Sequence, residues 1–316
     1  MKLENKLLQI GNIENMHDGD FLNGLCLVQS SSKAPTKNGG FYRAGKVSTS
    51  DGMVDYKSWS KSSAYDTMEK DDMTGKIVSV VSKVNEYGGV KSLIIESMEE
   101  INIANLGNYG LTEYDFLYNK YNIDAYWTKL NTFIEKNVSE NAYKVFKAVT
   151  ADLEEDFKNE FAAVSHHDAC RGGLLAHTLK VTQSAVTLGK LYPELMEKVG
   201  VDLLCVGAAL HDIGKVVEYK HGGISETGML LPHPVLGTLI ISKHEEEIVE
   251  LMGRDFYLNL LSIVSSHHGE MGEPPRTVGA YFVFCFDYLD SRLTALNELL
   301  ESNDGNQVAF DGFKLN

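Results

Sequence analysis

The sequence predicts a multidomain α+β chain, a small N-terminal β-barrel of the OB type followed by an all-α helical bundle. Three observations predict it. Residues 21–101 alternate short apolar runs with Gly, Asn and Asp turn signals, the pattern of strands. After residue 110 the apolar spacing changes to three and four, the period of helices packed on one face. Nine of the ten histidines fall after residue 165, which places the candidate chemistry in the helical half.

In order along the chain, 21–29 and 41–49 read as strands, Ser50-Asp51-Gly52 as a turn, and 53–59 as a third strand. Residues 62–73 read as a short helix ahead of a hairpin made by 76–84 and 90–96. Its link, Glu86-Tyr87-Gly88-Gly89, supplies the positive φ that tight hairpin turns need. Five short strands with one helical interruption fit a small closed barrel. The Asn- and Gly-rich stretch 105–110 marks a joint, giving a barrel domain at 1–104, a helical linker region at 105–160 and a helical domain at 161–316. Helices are expected at 112–121, 123–138, 141–163, 173–191, 201–211, 234–252, 256–268 and 277–301. Gly214, Gly253, Gly269 and the Pro274-Pro275 pair mark several of their limits. The polar tail from residue 302 is expected to dock loosely.

Length and composition narrow the function. A chain of 316 residues that is 43% hydrophobic can build more than one core. Its formal charge of -15 is uneven: residues 1–150 hold 17 basic and 19 acidic groups, the remainder 12 and 25. A broad basic nucleic-acid surface is excluded, so a polyanion has to be met by metal ions or by a local patch. Cys26, Cys170, Cys205 and Cys285 are scattered without paired metal spacing and are expected as core thiols of a reducing compartment. No secretory apolar run follows Lys2, Glu4 and Lys6, and no stretch approaches the length of an apolar span. The expected location is the cytoplasm, with no membrane partner; oligomeric state, including a homo-oligomer, is left open.

His211-Asp212 closes an apolar helical run and is followed at once by Ile213-Gly214-Lys215. Burying such a pair without partners costs far more than packing returns, and a metal ion removes that cost. Successive residues on a helix project about 100° apart, so both can grip one ion only at a helix end or bend. His177 and Asp287 complete a candidate set of four, and imidazole with carboxylate suits borderline divalent metals. His233 and His267, sharing Asp212, are candidates for a second ion; the alternative is a pair of fold histidines beside a single ion. His268, next to His267, is expected to point away from it and contact substrate. Asp290, three residues after Asp287, is expected behind the ligands or paired with Arg292 or Arg254. Two ions together would activate water and neutralise the oxygens of a phosphate under in-line attack. Lys215 and the Arg171 fork are candidates to hold phosphate oxygens, and His166 and His167 to contact a ribose or base or to move a proton to the leaving group. His17, His221 and His244 read as solvent-facing or structural. In the barrel, Phe41, Tyr42, Tyr56 and Trp59 are candidates to stack bases beside Lys33, Lys37, Arg43, Lys46 and Lys57; the alternative is that these aromatics form the barrel core.

The strings Arg171-Gly-Gly-Leu-Leu-Ala-His177, Ala209-Leu-His-Asp-Ile-Gly-Lys215, Ser266-His-His-Gly269 and Phe286-Asp-Tyr-Leu-Asp290 resemble the HD phosphohydrolase superfamily. Together with the barrel pattern they are similar to the YhaM-type 3'-5' exoribonucleases, which join an OB-fold to an HD domain. The resemblance implies a metal-dependent 3'-5' exoribonuclease that releases nucleoside 5'-monophosphates from single-stranded RNA, with DNA as a second polymer. The N/O donor set and phosphate chemistry suit one or two divalent ions, Mn(II) preferred, with Fe, Co, Ni or Mg as alternatives, and Asp212, Lys215, Arg171 and His167 are the candidates for catalysis. Leu231-Pro232-His233-Pro234 departs from the Gly-His segment of such relatives, and the barrel is nearly neutral where a basic one is expected. Two other readings stay open: a phosphohydrolase of free or cyclic nucleotides, and a nucleic-acid binding module whose HD pocket is idle.

Overall fold

The computed structural model describes residues 6–36, 39–163, 168–220, 222–269, 272–302 and 308–315. Lys37, His166, His167 and His221 lie outside the described residues. The chain forms two compact units, Met1–Asn119 and Lys120–Asn316.

The first unit contains β1 (Gly24–Pro35), β2 (Phe41–Thr49), β3 (Gly52–Trp59), α1 (Ser63–Lys70), β4 (Ile77–Tyr87) and β5 (Val90–Glu100). The strands close in the order β1-β2-β3-β5-β4. Every pairing is antiparallel except β3 with β5. With one helix between β3 and β4 this is the OB-type barrel the sequence predicts. Its core includes Cys26, Val28, Val47, Val54, Val78, Val80, Leu93 and Ile95. β1 runs beyond its predicted end because its register shifts between Val28 and Ser30, after which a polar half pairs with the start of β2 outside the core.

Side-chain alternation sorts the barrel aromatics. Val54, Tyr56 and Ser58 point inward on β3, so Tyr56 is a core residue, 1% exposed, and has no face left to stack a base. Phe41 and Trp59 are 48% and 43% exposed. Tyr42 pairs with Trp59 across the β2–β3 ladder, their ring centroids 5.3 Å apart, and Lys33 Nζ lies 4.9 Å from the Phe41 centroid.

The helix expected at 112–121 is a single 3-10 turn, Glu113–Phe116, closed by the reciprocal Thr112–Asp115 capping box and followed by an extended Leu117. The second unit holds α2 (Ile123–Asn137), α3 (Glu140–Thr150), α4 (Glu154–Asn159), α5 (Gly173–Gly189), α6 (Pro193–Val199), α7 (Val201–Leu210), α8 (Lys215–Glu218), α9 (His233–Ser242), α10 (Glu245–Met252), α11 (Arg254–Ser266) and α12 (Val278–Ser302). The hairpins β6 (Tyr219–Lys220) with β7 (Gly223–Ile224) and β8 (Val308–Phe310) with β9 (Phe313–Leu315) complete it. The second hairpin gives the polar tail more order than its composition suggests. No helix among the described residues is long and apolar enough to cross a membrane.

α7 is apolar all round, and such a helix belongs inside. Cys205, Val206, Ala209 and Leu210 join Leu130, Ile134, Val145 and Phe146 of α2 and α3, Leu174 and Leu175 of α5, and Leu260 and Val264 of α11 in one core. Leu204 and Ala208 pack with Ile263, Ala280 and Val283 on its other side. The segment predicted as one helix at 234–252 breaks at Lys243-His244, where Glu245, Glu246 and Glu247 open α10 at the end of a helix dipole that favours acids. Of the four cysteines expected in the core, three are buried and Cys285 is exposed.

Candidate metal centre

Each donor at the centre comes from an element whose local sequence fixes its direction. Gly172, with φ +78, opens α5, and Gly173 lies so close to the Asp168 carbonyl that a Cβ there would sit 1.9 Å from its oxygen. This approach of two backbones sets the start of α5, on whose second turn His177 is buried. α7 ends at Leu210 and the chain turns through 211–214. Gly214 there has an ordinary right-handed conformation, so glycine is required for a different reason: an added Cβ would lie 2.0 Å from the His233 carbonyl oxygen. The turn after α7 is thereby packed directly on the start of α9.

The imidazoles are held by their Nδ1 atoms. His211 Nδ1 donates to the Ala208 carbonyl at 2.7 Å and His267 Nδ1 to the Val264 carbonyl at 2.9 Å. A carbonyl can only accept, so both tautomers carry the proton on Nδ1 and leave the Nε2 lone pair facing the cluster. His233 receives the same treatment from Glu218, whose carboxylate accepts from the His233 backbone N–H at 3.1 Å and meets Nδ1 at 2.6 Å. His177 Nδ1 meets Asp290 Oδ2 at 2.7 Å. The expected partners of Asp290 are engaged elsewhere, Arg292 with Asp311 and Arg254 with Glu245. Asp290 instead backs His177, the carboxylate–imidazole arrangement common behind metal ligands.

The Nε2 atoms converge on Asp212. His177 Nε2 lies 3.2 Å from His211 Nε2, 3.1 Å from Asp287 Oδ1 and 3.5 Å from Asp212 Oδ2. On the other side, His233 Nε2 and His267 Nε2 lie 3.4 and 3.5 Å from Asp212 Oδ1. One donor atom from each of His177, His211 and Asp212 falls within 4.8 Å of the others, and the same holds for Asp212, His233, His267 and His268. The structure therefore turns His268 inward where sequence placed it pointing away, its Nε2 being 2.6 Å from that of His233. Lys215, also buried, has Nζ 2.7 Å from Asp212 Oδ2, an ion pair that lacks hydrogen-bond alignment. Arg171 Nε donates to Asn159 Oδ1 at 2.8 Å.

Both Asp212 oxygens and His267 Nε2 are buried without a hydrogen-bond partner. Orphaned acceptors of that kind are rare in folded proteins, and a cation satisfies all of them at once. The donor set of imidazole nitrogens and carboxylate oxygens, with no thiolate, fits a borderline divalent ion. Electrostatics agrees. Burial alone would raise the Asp212 pKa, but Lys215 and His211 hold it well below the carboxylate range, and Asp287 is likewise lowered, by His177. Burial, with His267 beside it, pushes His268 down to about 3, and burial also lowers His233.

Burial alone would lower the His177 pKa, but its hydrogen bonds with Asp287 and Asp290 outweigh it and push the value up to about 9. At neutral pH the metal-free imidazole is thus protonated, and ion uptake must expel that proton. We expect about one proton released per chain on Mn(II) binding near pH 7, read by calorimetry in buffers of different ionisation heat, with affinity rising with pH until about 9. Because the folded value is raised above 6.5, the stabilisation from the charged imidazole is complete below that pH and fades as pH rises through about 9 in the metal-free chain. Uptake without proton release would contradict this assignment.

Lys215 was legible from its place after the dyad, whereas Glu218 carried no signal because its role depends on the β6–β7 hairpin returning the chain to His233.

Residues 174–292 match the family model described as HD domain. The chain is 26% identical over 295 residues to the 3'-5' exoribonuclease YhaM of Listeria innocua, covering 90% of this chain and 89% of that protein. It is 26% identical over 295 residues to the protein of the same name from Bacillus subtilis (90% and 88%) and 27% over 292 residues to that of a Geobacillus strain (90% and 86%). The HD match and the clustered donors together support metal-dependent phosphohydrolase chemistry.

Proposed function

We propose that the chain is a 3'-5' exonuclease that shortens single-stranded RNA, and DNA as a second polymer, releasing nucleoside 5'-monophosphates. The observation that carries the reading is Asp212, a buried carboxylate with one oxygen toward His177 and His211 and the other toward His233 and His267. Two donor sets sharing one carboxylate are the arrangement for in-line attack on a phosphodiester. The similarity to proteins named 3'-5' exoribonuclease across nine-tenths of the chain supports a polymer substrate.

His177, His211, Asp212 and Asp287 would hold one divalent ion, and Asp212, His233, His267 and His268 a second. Such ions supply Lewis acidity and a water that ionises near neutral pH. The protein's own groups do the rest. The Nδ1 contacts to Ala208, Val264, Glu218 and Asp290 lock four imidazoles before substrate arrives, so little reorganisation is required during reaction. Lys215 places a cation beside Asp212, where it would offset charge growing on a non-bridging phosphate oxygen. Arg171, His166 and His167 are assigned to the strand's terminal nucleotide. Mn(II) is the ion we assign.

The barrel unit binds the strand by stacking. Phe41, Tyr42 and Trp59 lie on neighbouring strands, and several cations of the barrel are engaged in ion pairs, Lys33 and Arg43 sharing Glu69 and Lys46 with Asp55. Affinity in this reading rests on ring faces more than on phosphate contacts. Trp59→Ala should weaken single-strand binding by about 1–3 kcal/mol while leaving hydrolysis of a small chromogenic phosphodiester unchanged. Equal loss on both substrates would remove the barrel from substrate binding.

The deciding experiment offers a 5'-labelled RNA with a free 3' hydroxyl, and separately a panel of free and cyclic nucleotides, in Mn(II). A ladder shortening from the 3' end with nucleoside 5'-monophosphates as product is expected. Turnover confined to the nucleotide panel would instead favour a nucleotide phosphohydrolase.

A further inference from the structure

Beside the metal centre lies a further donor group. Asp168, His177 and Asp290 each offer one donor atom within 4.8 Å of the others, and it is Nδ1 of His177 that meets Asp290, at 2.7 Å. Asp168 is wholly buried. What distinguishes this group is an ammonium inside it: Lys180 Nζ is 2.9 Å from Asp168 Oδ2, 3.2 Å from Asp290 Oδ1 and 2.8 Å from Thr294 Oγ1. Lys180 lies three residues after His177 on α5, and Asp290 and Thr294 lie four apart on α12, so the two helices present these groups to one point.

A neutral imidazole has one lone pair. A metal ion between Asp168 and Asp290 would claim it at Nδ1, move the proton to Nε2 and remove His177 from the centre built on Asp212. An ammonium supplies the positive charge these carboxylates need, yet it can only donate, so it makes no claim on the imidazole. We propose that Lys180 is a positioning residue: it is the resident cation of this outer pocket, excluding a metal ion there and leaving Asp290 Oδ2 to accept the Nδ1 proton of His177, whose Nε2 is thereby committed to the metal centre. Asp168 acts through Lys180, as the buried counter-charge that holds the ammonium in place, and is itself anchored by Tyr121 and by Lys120 at 3.6 Å.

The inference rests on the reading of His177 as a metal ligand, and Mn(II) binding to the full metal-free chain tests both without any substrate. In calorimetric titrations, Lys180→Ala is expected to take up one more equivalent of Mn(II) than the wild type and to bind its tightest equivalent more weakly, because the vacated pocket keeps its two carboxylates and competes with the centre for His177. Lys180→Arg, which keeps a donating cation, should restore the wild-type stoichiometry. Asp290→Asn preserves shape but removes the charge behind His177, and should weaken the tightest Mn(II) site about 10–100-fold without adding an equivalent. Unchanged stoichiometry in Lys180→Ala, or unchanged affinity in Asp290→Asn, would overturn the proposal while the metal centre stands. A wild-type chain that takes up no Mn(II) would overturn the centre itself. If Lys180→Ala does not fold, Asp290→Asn decides.

Discussion

Asp212→Ala is expected to lower phosphodiester hydrolysis by at least about 10³-fold, at saturating Mn(II) as well as at limiting Mn(II). Asp212 is the only residue that contributes to both donor sets described above, with Oδ2 facing His177 and His211 and Oδ1 facing His233 and His267. Losing a terminal ligand weakens one ion, and excess metal can compensate. Losing the shared carboxylate would remove the anion that lets the two proposed dications approach each other, and mass action would not restore that. The same variant separates binding from catalysis. Wild-type melting temperature should climb with Mn(II), since an ion that binds only the folded chain stabilises it by linkage. The climb should vanish in Asp212→Ala, while far-UV circular dichroism keeps its helical form. Wild-type turnover by this variant in excess Mn(II) would remove Asp212 from the centre.

The barrel and the bundle were legible because each is written in local sequence pattern: alternation on β3, three-four spacing along α2 and α3, and an unbroken apolar run through α7. Helix breaks at 151–153 and at Lys243-His244 were not, since apolar spacing continues across both and the restarts are marked only by acidic first turns, Glu154-Glu155-Asp156 on α4 and Glu245-Glu246-Glu247 on α10, which a helix N-terminus favours. At the site, His177, His211, Asp212 and Asp287 could be picked out as residue types that a core does not tolerate unpaired. The direction of His268 could not. Adjacent residues on a regular helix diverge, but His267 and His268 fall in the turn that follows α11, where their ring centroids come within 4.3 Å. Lys180 and Asp168 were invisible for another reason. A lysine and an aspartate twelve residues apart look like ordinary surface charges until the approach at Gly173 buries one of them against the other.

Gly214→Ala should disable one half of the centre and spare the other. The added Cβ would lie 2.0 Å from the His233 carbonyl oxygen and 2.6 Å from the Gly237 nitrogen, and both are backbone atoms that no rotamer change can move aside. The turn after α7 and the first turn of α9 must separate by about 1 Å, in an interior packed too densely to absorb it freely. We expect a loss of about 1–3 kcal/mol of stability from overpacking, measured by denaturant unfolding. The functional loss should be larger in proportion. His233 is the first residue of α9, so the displacement is applied directly to a donor whose Nε2 is 3.4 Å from Asp212 Oδ1. A misplacement of that size costs about 100-fold in rate when geometry carries the catalysis. His177 on α5 and Asp287 on α12 come from other elements, and if α9 takes up the shift while the turn keeps His211 and Asp212 in place, the first set should still bind Mn(II) and the stoichiometry should fall by one equivalent and not to zero. Gly107→Ala, at a glycine with open space around it and no left-handed backbone, controls for the methyl group itself and should leave stability and Mn(II) uptake unchanged. A Gly214→Ala protein that is destabilised but binds two equivalents and turns over normally would mean that α9 shifts without carrying His233 away, and that the close contact serves packing alone.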